Sequence, residues 1–157
     1  MSDRADTTRQ VWLEAIERHR HDPDKSASRD EIRSIQDDKI AAVTPFLYEN
    51  SEFYRRRFDR LGLTPSDLQS VDDLIAKWPV IDKKEMAQDA AAQPPYGTFT
   101  TMNEALWRER GWMMFSSSGT TGPPRVFRYS HFDRELWAWA NARALQAMSF
   151  RKATRCS

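Results

Sequence analysis

The sequence predicts an α/β protein: a mostly helical first part, then two strands joined by a polar loop, then a long helix. Three observations carry this prediction. Apolar residues recur every three to five positions through much of 1–110, with serine, aspartate or asparagine at helix-capping positions. A run of serine, threonine and glycine at 116–122 separates two short segments of strand character. A helical pattern then extends from about residue 131 to 148.

The composition bounds the class of protein. The length of 157 residues suits one domain, and the formal net charge is only +1. That balance gives no reason to expect nucleic acid or an anionic membrane as a partner. The only cysteine, Cys156, predicts neither an internal disulfide nor a metal site. Because 1–10 lacks the apolar core of a signal peptide and no apolar run approaches the ~20 residues that span a bilayer, we expect a soluble, cytoplasmic chain.

The first helices are predicted from their caps. Residues 7–20 carry a short apolar stripe, and 19–24 end it with two histidines, aspartates and a proline. This polar segment favours a surface turn over a metal site, so no metal is expected. Ser28 and Glu31 form a capping box ahead of a second helix. Pro45 should kink that helix or start a new segment, because it removes a backbone hydrogen bond.

Two further helical segments follow Ser51. The first ends at Gly62 and is expected to turn these residues inward: Phe53, Tyr54, Phe58 and Leu61. The arginine run 55–57 within it is predicted to be a solvated helix face. The second segment is short and is expected to pack through Leu68, Val71, Leu74 and Ile75. Asp82 begins another capping pattern.

The remaining elements frame the polar loop. Residues 90–101 are predicted to be a proline-containing connection, after which Asn103 caps a short helix that Gly111 ends. Ser130 and Asp133 cap the long helix, and His131 is expected to face solvent. One face of that helix is predicted to pack in a core, and it comprises Phe132, Leu136, Trp137, Ala140, Ala144, Leu145 and Met148.

The polar loop is the candidate functional site. Apolar residues at 112–115 precede it and the alternating run 126–129 follows it, which predicts strand, tight loop, strand. Glycine permits close backbone approach, hydroxyls add donors and arginine adds a fixed charge suited to phosphate. The candidate phosphate-binding residues are Ser117, Ser118, Gly119, Thr120, Thr121, Gly122 and Arg125. An ordinary solvated turn has the same composition. No Gly-Lys-Ser/Thr and no G-x-G-x-x-G spacing is present, which excludes a Walker loop and a dinucleotide fingerprint.

Residues 118–125 resemble the AMP-binding signature of adenylate-forming enzymes, S-G-[ST]-[ST]-G-x-P-[KR]. The resemblance is closer to phenylacetate-CoA ligases and related aryl-CoA ligases, whose loop typically reads S-S-G-T-T-G-K-P-T. Pro123 stands where lysine is usual and Arg125 where threonine is usual, although Arg125 fits the basic position of the wider signature. The order of elements before the loop is also similar to that family, so the resemblance covers about residues 30–150.

The resemblance implies a fold and a function. Residues 1–110 would be a helical lead-in, 111–150 the phosphate-loop hairpin and following helix of an incomplete AMP-binding domain, and 151–157 an aberrant tail. The family joins an aromatic carboxylic acid to coenzyme A with ATP and Mg2+, and its loop holds the nucleotide phosphates. Its catalytic and metal-binding residues come later in the chain. The resemblance therefore implies that this chain contains no catalytic and no metal-binding residues of the family, and that the isolated fragment is inactive.

The end of the sequence departs from the family pattern. Where relatives place a turn resembling Lys-Gly-Asp followed by an apolar strand, this chain continues through 151–157 with neither. Loss of one guanine from codons for Lys-Gly-Asp-Ala-Leu-Leu would give Lys-Ala-Thr-Arg-Cys-Ser, which suggests a frameshift that downstream DNA would test.

Two other classes remain open from the sequence: a non-catalytic nucleotide-binding module and a small helical interaction domain. The sequence indicates neither the acid used nor an oligomeric state. Phenylacetate is the family default, and benzoate or its hydroxy and amino derivatives are equally compatible.

Overall fold

A computed structural model describes Gln10, residues 27–117 and residues 125–148 of the chain. The helices are α1 (Arg29–Asn50), α2 (Glu52–Leu61), α3 (Val71–Lys77), α4 (Lys83–Ala92), α5 (Glu104–Arg110) and α6 (His131–Ala147), and the strands are β1 (Gly111–Ser116) and β2 (Val126–Ser130). The predicted helix at 7–20, apart from Gln10, and the tail at 151–157 lie outside the described residues. The chain divides into two compact units, Met1–Thr101 and Met102–Ser157.

Helix α1 begins at the predicted capping box. The Ser28 N–H donates to the Glu31 carboxylate at 2.7 Å, and the Glu31 N–H donates to the Ser28 hydroxyl at 3.2 Å. The helix continues through Pro45 as one element, so no new segment begins there. The hydroxyl of buried Thr44 lies 2.9 Å from the Ile40 carbonyl and 3.3 Å from the Leu68 carbonyl. It therefore links this part of the helix to the segment that contains Leu68.

The limits of helix α2 confirm the prediction. The Ser51 hydroxyl accepts from the Tyr54 N–H at 3.4 Å and donates to the Thr98 carbonyl at 2.9 Å, so the same residue caps the helix and ties it to a distant segment. Gly62 ends the helix with φ of 65°, in the left-handed region that favours glycine. Phe53 is buried on the inward face, as expected.

The core of the first unit is built around Phe58, which is 1% exposed. Its ring centroid lies 5.5 Å from that of Tyr48 and 4.6 Å from that of Trp78. In the short helix α3, Leu74 is half-buried but Ile75 is 75% exposed, so the prediction that both pack is wrong for Ile75. Neighbouring helical positions point about 100° apart, and only the side that carries Leu74 is covered.

The prediction of a solvated arginine run at 55–57 is wrong for Arg57, which is 4% exposed. Its guanidinium lies 2.6 Å from the Glu85 carboxylate and donates to the Pro79 carbonyl at 2.5 Å. The same group lies 5.4 Å from the Trp78 ring centroid. A buried guanidinium is tolerated because a carboxylate, a carbonyl and an aromatic face surround it. These partners come from 21 to 28 residues further along the chain.

A second polar network surrounds Asp89, whose carboxylate is buried. It accepts from the Arg56 guanidinium at 2.8 Å and from the N–H and hydroxyl of Thr98, both at 2.5 Å. Gly97 lies against this carboxylate with φ of 70°, and a Cβ there would meet the Asp89 oxygen at 2.5 Å. Since α4 extends to Ala92, the predicted connection begins later than residue 90.

The carboxyl group of Asp73 should make the first unit sensitive to acid. Hydrogen bonds from Lys77, Ser70 and the Gln69 N–H lower its pKa from 3.8 to about 2. A pKa depressed on folding adds stability above the ordinary value, and that contribution is lost as the pH falls through the folded value. We therefore expect urea midpoints to fall between about pH 4 and 2 more steeply for the parent chain than for Asp73→Asn. Parallel pH profiles would contradict this expectation.

The second unit follows the predicted order of helix, strand, strand and helix. The Asn103 side-chain oxygen accepts from the Leu106 N–H at 3.0 Å and caps α5. A reciprocal capping box joins Ser130 and Asp133 at the start of α6, with the Ser130 N–H 2.6 Å from the Asp133 carboxylate. Within the described ranges, no helix has both the length and the apolar character needed to cross a lipid bilayer.

The predicted core face of α6 is largely exposed. Trp137 is 47% exposed, and Leu145 and Met148 are exposed as well. Within the described part of the chain, the prediction of core packing is wrong for Leu145 and Met148, whereas Trp137 is half-exposed and contacts aromatic rings of the hairpin. The spacing of apolar residues indicates which side of a helix is apolar, but not how much of that side is covered. Here the hairpin covers only the first part of the apolar side of α6.

Candidate functional site

The strands β1 and β2 form an antiparallel hairpin whose connection is the predicted phosphate loop. Pairing runs from Gly111 with Ser130 to Ser116 with Val126, with an irregularity between Gly111 and Met113. Beyond the last pair, the Ser117 N–H donates to the Arg125 carbonyl at 2.9 Å. The Arg125 N–H donates to the Ser117 hydroxyl, also at 2.9 Å. The two residues that flank 118–124 are therefore held together.

One face of the hairpin packs on α6 through aromatic rings. The ring of Phe115 lies 5.2 Å from that of Tyr129 and 5.3 Å from that of Trp137, both edge-to-face. Trp112 also contacts Trp137, at 6.2 Å. Residues three apart on a regular strand face opposite sides, so the irregularity after Gly111 explains why Trp112 and Phe115 reach the same helix.

The other face of the hairpin is fixed by Arg128, whose side chain is 4% exposed. Its guanidinium pairs with Glu104 at the start of α5, donates to the Met102 carbonyl at 3.2 Å and lies 5.3 Å from the Trp107 ring centroid. Sequence reasoning missed this role. The available signal was a charged residue flanked by two aromatic residues in a strand, which places the charge on the face opposite them.

The structure describes two of the seven predicted site residues. Ser117 and Arg125 face each other at the base of the loop, whereas Ser118, Gly119, Thr120, Thr121 and Gly122 lie outside the described residues. Within 27–117 and 125–148, no acidic side chain forms an ion pair with Arg125, which is half-buried. A guanidinium in that position is suited to an anion such as phosphate.

The same described ranges contain no group of three histidine, cysteine, aspartate or glutamate side chains that could hold a metal ion. Chemically, the described arrangement offers two paired strands, a base closed by hydrogen bonds between Ser117 and Arg125, and the guanidinium that Arg125 carries. Such an arrangement can bind and orient an anion.

No family model matches the chain. Several curated proteins do, and they share one name. The chain is 36% identical over 126 residues to a phenylacetate-coenzyme A ligase of Aromatoleum evansii, covering 80% of this chain and 26% of the relative. The corresponding Escherichia coli K12 protein gives the same values. A Thermus thermophilus relative with that name is 30% identical over 123 residues.

Solved structures give a similar result. A 2-hydroxyisobutyryl-CoA ligase in complex with 2-HIB-AMP and CoA matches with a TM-score of 0.68 and 26% identity, over 83% of this chain and 30% of that one. A second state of the ligase, at 24% identity and a TM-score of 0.67, supports the fold alone. The chain spans about a quarter of the length of the curated relatives that it matches. Sequence and fold thus confirm the predicted resemblance: over that quarter, the chain matches the phenylacetate-CoA ligases of the adenylate-forming family.

Proposed function

We propose that this chain supplies the polyphosphate-binding hairpin of an AMP-forming acid–CoA ligase that activates an aromatic carboxylic acid. The observation that carries the proposal is the closed base of the loop. Ser117 and Arg125 bracket 118–124 at 2.9 Å, and the arginine has no acidic partner among the described residues. The names of the curated relatives support the reaction class.

The proposed reaction has two steps. The carboxylate attacks the α-phosphate of ATP to give an acyl-adenylate and pyrophosphate, and the thiol of CoA then displaces AMP to give the thioester. The hydroxyls of Ser118, Thr120 and Thr121 would donate to the β- and γ-phosphates, and Arg125 would offset the charge that grows on the departing pyrophosphate. Gly119 and Gly122 would contribute backbone N–H groups. This is positioning and electrostatic stabilisation, without a covalent intermediate on the protein.

Mg2+ belongs to the proposal only as the ion that accompanies ATP. The described residues provide no cluster of three metal-ligating side chains, and no step is assigned to a protein-bound metal. We also propose the division made from the sequence, with 1–110 as a helical lead-in and 111–150 as the phosphate-loop hairpin and its helix.

The aromatic acid is favoured over an aliphatic hydroxy acid by similarity. The curated phenylacetate-CoA ligases are 30–36% identical to this chain, whereas the 2-hydroxyisobutyryl-CoA ligase is 26% identical. Phenylacetate is therefore the first acid to test, with 2-hydroxyisobutyrate as the matched aliphatic comparison.

The loop assignment is tested by calorimetric titration of the 157-residue chain. Mg-ATP and Mg-tripolyphosphate should both bind, and AMP should bind far more weakly because it lacks the β- and γ-phosphates. The double variant Ser118→Ala/Thr120→Ala should weaken both polyphosphate affinities at least about tenfold, since hydrogen bonds to charged groups contribute roughly 1.5–3 kcal/mol each.

Glu135→Ala on α6 is the matched control, because that carboxylate pairs with neighbouring Arg134 on the surface. It should leave both affinities unchanged. Equal binding of AMP and ATP, or a double variant that binds like the parent, would reject the loop assignment. Catalysis is tested separately, by acid-dependent pyrophosphate exchange on a longer version of the chain. If the chain binds polyphosphate but the longer version shows no exchange, the protein would be a non-catalytic nucleotide-binding module.

A further inference from the structure

The hydroxyl of Ser117 occupies an unusual place in the hairpin. In a regular antiparallel ladder, every second pair of facing residues is a hydrogen-bonded pair and exchanges two backbone hydrogen bonds. Here the Ser117 N–H donates to the Arg125 carbonyl at 2.9 Å, but the returning Arg125 N–H goes to the Ser117 side chain instead of its carbonyl, also at 2.9 Å. The Ser117 carbonyl accepts from the Ser116 hydroxyl at 3.3 Å. The side chain has therefore replaced the backbone as the acceptor.

The side-chain acceptor fixes the backbone of Arg125. The Arg125 carbonyl accepts from the Ser117 N–H, and the Arg125 N–H donates to the Ser117 hydroxyl. Both bonds lie where the strand pairing ends. The start of the guanidinium side chain is thereby fixed relative to β1. A hydroxyl oxygen that accepts from the Arg125 N–H retains its proton, so a direct contact with phosphate and a positioning role must be separated by experiment.

We propose that Ser117 is a positioning residue for polyphosphate, which acts through Arg125 by closing the base of the loop. The proposal rests on the proposed function for its ligand, though the closure itself can be measured without any nucleotide. Ser117 thus differs from the other hydroxyl residues of the loop, which are proposed to contact phosphate directly. Preorganising the loop ends reduces the entropy that binding must remove.

The first measurement is hydrogen exchange in the nucleotide-free chain. Ser117→Ala should speed exchange of the Arg125 amide at least tenfold, because that N–H loses its acceptor. Ser117→Thr keeps the hydroxyl and should restore slow exchange. Ser116→Ala is the matched control, since the neighbouring hydroxyl makes only a 3.3 Å contact with the Ser117 carbonyl and should leave the Arg125 amide unaffected.

The second measurement is Mg-ATP titration of the same chains. Ser117→Ala should bind at least fivefold more weakly, Ser117→Thr should recover most of the affinity, and Ser116→Ala should bind like the parent. If affinity falls while nucleotide-free exchange at Arg125 is unchanged, Ser117 is a direct ligand and the positioning role is overturned. Faster exchange with unchanged affinity would also overturn it.

The two failures are distinguishable. A parent chain that does not bind Mg-ATP or Mg-tripolyphosphate refutes the proposed function, and with it the role of Ser117 toward polyphosphate, whatever the exchange rates. A parent that binds, with Ser117→Ala binding equally, refutes only the positioning role. Should the alanine variant lose its far-ultraviolet circular dichroism, Ser117→Cys supplies the weaker acceptor in a similar volume, and intermediate exchange and affinity are then expected.

Discussion

Replacing Phe58 by alanine is expected to lower the free energy of unfolding by about 3–5 kcal/mol, the usual range for a buried aromatic residue. The side chain is 1% exposed and contacts the rings of Tyr48 and Trp78, at 5.5 Å and 4.6 Å between centroids. Alanine would remove both contacts and leave a cavity that a close-packed interior refills only in part. Urea unfolding followed by far-ultraviolet circular dichroism measures the loss.

An apolar control of opposite exposure is available in the same unit. Ile75→Ala, at a position 75% exposed, should change the free energy of unfolding by no more than about 0.5 kcal/mol. If the two variants lost similar stability, the assignment of Phe58 to the core would be wrong.

Replacing Asp89 by alanine is expected to lower the free energy of unfolding by about 2–4 kcal/mol. The buried carboxylate accepts from the Thr98 N–H and hydroxyl at 2.5 Å and from Arg56 at 2.8 Å. Alanine would leave the two Thr98 donors without that acceptor. The loss of the Arg56 contact adds little to this free energy, because the half-exposed guanidinium can be solvated by water instead. Urea unfolding at neutral pH measures the effect.

Two further variants separate charge from hydrogen bonding. Asp89→Asn keeps one acceptor oxygen and should lose less stability than the alanine variant. Glu135→Ala removes a carboxylate from a surface pair with Arg134 and should change stability by less than about 1 kcal/mol. An alanine variant at 89 as stable as the one at 135 would show that the buried network contributes nothing.

The helix limits could be predicted from sequence because they depend on local chemistry. The capping boxes at Ser28 and Ser130 need only a partner three residues away, and Gly62 needs only its own left-handed backbone. Tertiary partners carry no such local signal. Arg57 is buried because residues 22 to 28 positions away provide its acceptors, so its neighbours in sequence wrongly suggested a solvated face.

The site was predictable in outline for a similar reason. A glycine- and hydroxyl-rich run between two strand-like segments predicts a hairpin, and β1 and β2 confirm it. The base of that hairpin was not predictable, because composition does not say whether Ser117 accepts from Arg125 or faces a ligand. Nor does an apolar period show how much of a helix is covered, which is why Leu145 and Met148 were wrongly placed in a core.

The two-stranded sheet also bears on how the protein behaves at high concentration. In the described part of the chain, no third strand lies beside β1 or β2. The six residues of β1, Gly111–Ser116, carry no charge and no proline, the features that usually prevent an extended segment of another molecule from adding alongside. An edge strand of this composition can act as a template for the addition of a strand from another molecule. Fibre formation would therefore depend on what covers the free edge of β1.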